Sequence, residues 1–594
     1  MLHSLPKLKS LLLVGALGVT LVLTGCGGGD DNSSSSSSSS SVSSSSNSSS
    51  SQSSSSQSNS SQSSSAASSA SSASGTSSNS SAASSSSSSA SAEVWDISTG
   101  ANADDLVENY SFPYTVSIDL GTMGITTSSA RLLVGAASGS VTPITLDGTT
   151  VITVTQESLG VSIDANMPSG EYLELALTGS YTKTVTLYSN NKFKLTLNGV
   201  NIASTNGPAI NVQSGKRAFV TLANGTSNVL SAPSTWTART LSDGSAMDMK
   251  SALFAEGALI FSGTGSLSVT STAKHGIASD DHIRLRSGTI TVSATAKDGV
   301  RANDSFVMDG GSLAVTAAAG KGVKVEGKED DVQPLGFIAI NAGTLTVNSY
   351  DKAVTASWES AEDGDTTTLT DDPDPRVTVN GGTITLTTTA TPTSDLAPEG
   401  LESKSTLTIN DGTLIINTTD DAINAANAIV VNGGRIYAHA TKNDAIDSNG
   451  TMTITGGIIV ADGASGAEGG LDCDNNTFKV TGGTFIGIGG RNSSVTASVS
   501  TQNVVTLTNG VANSLLVIKD GSGNVAFAYT IPKASSAMLL SSPLLTTGTS
   551  YTVYTGGTIG SYGENFNGLY MPTITHSGGT ASKTFTIASR VTNP

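Results

Sequence analysis

Cysteine is almost missing from this chain: two, Cys26 and Cys473, occur among 594 residues. Cys26 closes an export signal, so the folded part keeps one thiol and no intramolecular disulfide, and it must stand on packing, hydrogen-bonded strands or metal. Basic residues are also scarce, 29 against 47 acidic ones, and the net charge of −18 argues against nucleic acid as a partner and against unaided binding of a polyanion. An acidic ligand would need a local basic patch or a bridging cation. Helical periodicity is nearly absent, and neither an EF-hand loop nor an RTX-type nonapeptide occurs. The apolar run at residues 11–23 is short for a membrane span.

That run follows Lys7 and Lys9 and ends in Leu23-Thr24-Gly25-Cys26. The tetrad resembles the lipobox of bacterial lipoproteins, which predicts a signal peptide over residues 1–25, acylation of Cys26 and membrane attachment through the lipid alone. Gly27 rather than Asp after the cysteine resembles the sorting pattern for the outer membrane, so the expected location is the cell envelope, lipid-anchored and surface-exposed. Residues 33–92 are nearly pure serine. They have no apolar surface with which to offset the entropy of ordering, so 26–92 reads as a disordered linker with a reach of roughly 40 Å. Such serine runs are similar to those of secreted polysaccharide-degrading proteins.

Beyond the linker a repeat dominates. A glycine precedes an alternating apolar segment at Gly265, Gly288, Gly311, Gly343, Gly382, Gly412, Gly434, Gly457 and Gly483, most often 22 to 23 residues apart. Thr289-Ile290-Thr291-Val292 and Thr344-Leu345-Thr346-Val347 show the period of two expected of a strand with one buried face. Between the glycines lies a charged turn, as in Lys297-Asp298-Gly299-Val300 and Asn443-Asp444-Ala445-Ile446. The period fits one coil of a parallel β-helix. The expected fold is all-β: a β-rich region over 93–160, a single-stranded parallel β-helix over 161–493, and a β-rich cap over 494–594.

Stacked coils place equivalent residues about 4.8 Å apart, so each repeat position becomes a ladder. One ladder reads Ala278, Arg301, Lys324, Thr355, Glu402, Asn424, Asp447, Asp472, and a neighbouring one His275, Asp298, Lys321, Lys352, Glu399, Asp421, Asp444, Gly469. Both turn from basic to acidic. Stacked carboxylates repel by roughly 3 to 4 kcal/mol per pair at an effective dielectric near 20. Glu399, Glu402, Asp420, Asp421, Asp444, Asp447, Asp472 and Asp474 are therefore candidate ligands for Ca²⁺, hard oxygen donors without His or Cys, unless they only cap turns. Lys297, Arg301, Lys321 and Lys324 are candidate bases for β-elimination, and Lys297, Arg301 and Lys324 candidate contacts for uronate carboxylates; alternatively they pair with Asp280, Asp281, Asp298, Asp304 and Glu326. An outward column of Ile415, Tyr437, Val460 and Ile486 needs cover, either from the C-terminal region or from sugar stacked on Tyr437. Trp358, in an insertion at 357–375, is a second stacking candidate.

Leu195-Thr196-Leu197-Asn198-Gly199-Val200, Gly225-Thr226-Ser227-Asn228, His275-Gly276-Ile277, Asp420-Asp421-Ala422-Ile423-Asn424, Asn443-Asp444-Ala445-Ile446-Asp447 and Tyr551-Thr552-Val553-Tyr554 resemble blocks of the bacterial cellulose- and polygalacturonate-binding β-helix family. The resemblance implies a right-handed β-helix with bound calcium, similar in shape to pectate lyases and with at most weak lyase activity. The expected function is a surface-anchored, calcium-dependent, monomeric binder of plant cell-wall polysaccharide, pectic or cellulosic. A weak polysaccharide lyase and a structural adhesin are the alternatives.

Overall fold

The computed structural model describes residues 95–327, 335–358 and 375–594. The expected signal, Cys26, the serine linker and most of the insertion lie outside them. The described chain is all-β, with only the 3₁₀ turns Ala103–Asp105 and Val107–Asn109 for helix. No helix among the described residues is long and apolar enough to cross a membrane.

Alternation drives strand formation. In Thr289–Ala294 the residues Ile290, Val292 and Ala294 are buried while Thr289 and Thr291 face out. Ser266–Ser271, Thr289–Ala294, Ser312–Ala317, Thr344–Ser349, Thr383–Thr388, Thr413–Thr418 and Arg435–Ala440 pair in parallel and in register, each with the next. A second column runs through Ile283–Leu285, Ser305–Met308 and Phe337–Ile340 to Phe478–Val480.

The charged segments bend as expected, as at 297–299 and 443–445, and lead directly into a third column of parallel strands: His275–Ser279, Val300–Ala302, Val323–Gly327, Val354–Trp358, Leu401–Ser403, Ile423–Ala425, Ile446–Ser448 and Leu471–Asp472. Many are only three residues long, too short for alternation to show in the sequence. Inward residues of all three columns, such as Ile290, Leu285 and Val300, share one core.

The repeat glycines from Gly288 to Gly483 have φ between 70° and 110°, a region closed to most side chains. Two residues before them runs a hydrogen-bonded ladder. Asn341 donates to Asp309 (2.9 Å), Asn380 to Asn341 (2.8 Å), Asn410 to Asn380 (2.7 Å), Asn432 to Asn410 (2.8 Å) and Thr455 to Asn432 (2.8 Å).

Both ends of the parallel stack change to antiparallel pairing. Thr149–Glu157 pairs antiparallel with Gly160–Ala165, which then pairs parallel with Thr184–Ser189. At the far end Thr484–Gly489 meets Ser535–Ser541 antiparallel. Residues 95–112 form a strap along the outer face: Tyr110 and Phe112 pack on Phe219, and Trp95 on Phe337. The strap carries Asp105, fully buried between Arg217 (2.8 Å), His282 (3.0 Å) and Arg284 (3.3 Å).

Candidate functional site

The strand register places Ala278, Arg301, Lys324, Thr355, Glu402, Asn424, Asp447 and Asp472 directly above one another. Three electrostatic zones divide this ladder.

In the first, cations meet carboxylates. Arg301 and Lys324 both pair with Glu326, Lys324 at 2.6 Å, and Lys321 lies 3.7 Å from Asp351. Asp298 accepts the backbone N–H of Lys321 at 2.9 Å. Of the four candidate bases, Arg301, Lys321 and Lys324 are thus held in ion pairs, and Lys297 is exposed. A lysine engaged in this way would have to leave its carboxylate before it could take a proton.

In the second zone Lys352 reaches forward to Glu399 (2.6 Å) and Glu402 (2.9 Å), while Lys404 (2.5 Å) and the Thr355 hydroxyl (2.5 Å) also bond Glu402. Burial is the largest influence on both glutamates. It pushes Glu399 up, helped by the adjacent Glu402 charge, whereas at Glu402 the opposing attraction of Lys352 and Lys404 prevails and holds the carboxyl down. The lysines therefore already answer the charge of these two candidate metal ligands.

The third zone has no lysine in its ladder. Carboxylate oxygens of Asp444, Asp447 and Asp472 lie within 4.8 Å of one another. Asn424 bridges Asp421 (3.1 Å) and Asp447 (3.3 Å). Burial first, then the charges of Asp447 and Asp420, push Asp421 up to about 8. Burial, then Asp472 and Asp474, push Asp447 up to about 7. Asp444 is raised by burial and by Asp472 and Asp447, against the opposing hydrogen bond from the Gly469 N–H. Arg491, largely exposed, pairs with Asp472 at 2.5 Å, and the Ser493 hydroxyl bonds the same carboxylate.

Asp420 stands at the edge of this zone and accepts from Asn443 at 2.9 Å. Asp474 is exposed, in a left-handed turn at φ 50°. A polar cleft of about 390 Å³ adjoins it, with Asn475, Asn476, Arg491 and Asn492 on its walls.

The aspartates also cap the next coil. Asp421 Oδ1 accepts the N–H of Asp444 at 2.9 Å, and Asp444 Oδ1 that of Gly469 at 2.5 Å. Capping and cation binding are compatible, because each carboxylate has a second oxygen. Hard oxygen donors converging at this spacing, buried and short of positive charge, fit Ca²⁺.

The outward apolar column is covered by the chain itself. Val460 and Ile486 are buried in a second core formed with the C-terminal region, and Ile415 and Tyr437 pack against it. Tyr437 also stacks on His439, with ring centroids 6.1 Å apart. Trp358 ends Val354–Trp358, opposite Gly327. Sequence reasoning missed Lys404, Arg491 and Ser493. Arg491 follows Gly489-Gly490 beyond the last repeat glycine, where no repeat position marks it.

Residues 161–443 match the family described as carbohydrate-binding domain-containing protein. Among solved structures, the chain is similar to the polysaccharide lyase-like protein from C. thermocellum, solved as a gadolinium derivative: 15% identity over 57% of this chain and 96% of that one, with a TM-score of 0.31. No curated protein matches the sequence.

Proposed function

We propose that this chain is a surface-tethered, calcium-dependent binder of plant cell-wall polysaccharide, its repeats wound as a right-handed parallel β-helix. The family match over 161–443 supports carbohydrate binding. Three parallel columns sharing one core support the winding. The observation that carries the cation is the convergence of Asp444, Asp447 and Asp472 in a stretch of ladder without lysine.

Asp421, Asp444, Asp447 and Asp472 would hold the ion, with Asp420, Asn424 and Asp474 at its border. Bound there, calcium would neutralise the stacked carboxylates and offer open positions to sugar oxygens. The cleft beside Asp474 supplies amide and guanidinium donors for the same chain of sugars. Acylated Cys26 and the serine linker would hold the domain at the outer membrane.

Pull-down on polygalacturonate and on cellulose, each with calcium and with EDTA, tests this. Retention that EDTA abolishes is the expected result; retention on neither polymer sinks the reading.

A further inference from the structure

A second cleft lies at the opposite end of the stack. Its walls are the 120–123 turn, the end of Thr149–Glu157, and the turn between Leu173–Tyr181 and Thr184–Ser189. Its volume of about 560 Å³ lies within the roughly 300–1,000 Å³ common for ligand sites. Tyr181 and Met123 line it and pack against the main core. Gln156, Glu157 and Lys183 line it as well. Arg239 pairs with Glu157 and bonds the Thr186 hydroxyl at 2.9 Å, which fixes the carboxylate in place. Among the described residues no hydrogen bond or ion pair claims the side chain of Gln156 or Lys183.

We propose that this cleft is a metal-independent subsite for a neutral pyranose unit. A pyranose presents an apolar C–H face and a rim of hydroxyls. The Tyr181 ring and Met123 suit the face; the Gln156 amide, the Glu157 carboxylate and the Lys183 ammonium suit the rim. Glu157 is already paired with Arg239, which leaves Lys183 as the wall charge without a partner among the described residues. The choice of a neutral unit rests on the Tyr181 and Met123 face, and a uronate, read as galacturonan bound in EDTA, is the competing outcome of the test. From Thr184–Ser189 to Ile446–Ser448 the third column takes nine steps. At about 4.8 Å per step the cleft stands roughly 43 Å from the aspartates. Loss of one site therefore leaves the other intact.

This rests on the carbohydrate-binding reading but not on calcium. Calorimetric titration of the full chain in EDTA with cellohexaose, xylohexaose and mannohexaose, and with a galacturonan hexamer both in EDTA and in calcium, separates the two. The expected result is binding of a neutral hexaose in EDTA, weakened at least tenfold in Gln156→Ala/Lys183→Ala with an unchanged melting temperature, and weakened again in Tyr181→Ala. Neutral-hexaose binding undiminished in the double variant overturns the cleft and leaves the proposed function standing. Binding of galacturonan alone, and only with calcium, does the same. Binding of no glycan overturns both.

Discussion

The aspartates of the last coils carry the sharpest single-residue consequences. Two carboxylates about 4.8 Å apart repel by roughly 3 kcal/mol at an effective dielectric near 20. Burial first, and then this repulsion, makes the folded chain take up protons, so Asp421 stands near 8 against an ordinary 3.8. A raised folded pKa means that the folded state binds more protons than the unfolded one between those values. Its contribution to stability is complete below pH 3.8 and is lost as pH rises through about 8. In EDTA the melting temperature should therefore decline from about pH 4 to 8, and millimolar calcium should flatten that decline by replacing the protons. Asp421→Asn/Asp444→Asn keeps an oxygen to accept the N–H of the next coil while removing two charges. In EDTA at pH 8 this variant should melt no lower than the parent, and calcium should raise its melting temperature far less. Equal calcium responses in melts of the two proteins would remove the ion from these residues. If both aspartates served only as caps, the pH slope would persist in calcium.

At the scale of elements, the strap and the asparagine ladder hold the stack together from outside the core. Removing Asp105 would leave Arg217, His282 and Arg284 buried around an empty place, and breaking a buried ionic cluster in this way costs about 3–5 kcal/mol. Asp105→Ala should lower the denaturation midpoint accordingly and expose residues 95–112 to protease; a midpoint within experimental error of the parent would show that the strap contributes little. His282, opposed by burial but raised by Asp105 and Asp281, is held at about 10. Its contribution is present below its ordinary 6.5 and lost as pH rises through 10, so cleavage of the strap should accelerate there. Asn410→Ala deletes two ladder bonds and should cost about 1–3 kcal/mol, read as faster amide exchange in the flanking coils. The sequence displays the main strands and the charged ladder positions because their periods of two and about 23 are local; the asparagine ladder came to light only in the structure. The sequence hides the strap, whose partners lie more than 100 residues away in the chain, and the three-residue strands, whose alternation is too brief to read. Of the site, Asp421, Asp444, Asp447 and Asp472 were legible from their recurrence. That Lys352 and Lys404 neutralise Glu399 and Glu402 depends on which way long side chains reach between coils, and spacing alone does not fix that.

For the whole molecule, the C-terminal region covers the surfaces through which the stack could self-associate. A parallel stack ends in a strand with one unpaired edge, a template for another chain. Here Thr484–Gly489 finds its partner in Ser535–Ser541, and the same region buries Val460 and Ile486 and covers Ile415 and Tyr437. Removing residues 494–594 uncovers the edge and the apolar column together. The truncated protein should self-associate, while the full chain elutes as one monomeric species in size-exclusion chromatography with light scattering. The two causes can be separated. Ile415→Thr, Tyr437→Thr, Val460→Thr and Ile486→Thr together in the truncated chain give that face the polar character of the earlier coils, where Thr291, Thr346 and Thr385 stand in the same column, but leave the edge open. Association that persists in this variant assigns the cap's role to edge pairing, and association that disappears assigns it to the apolar face. A truncated chain that stays monomeric without either substitution would show that the stack needs no cap at all.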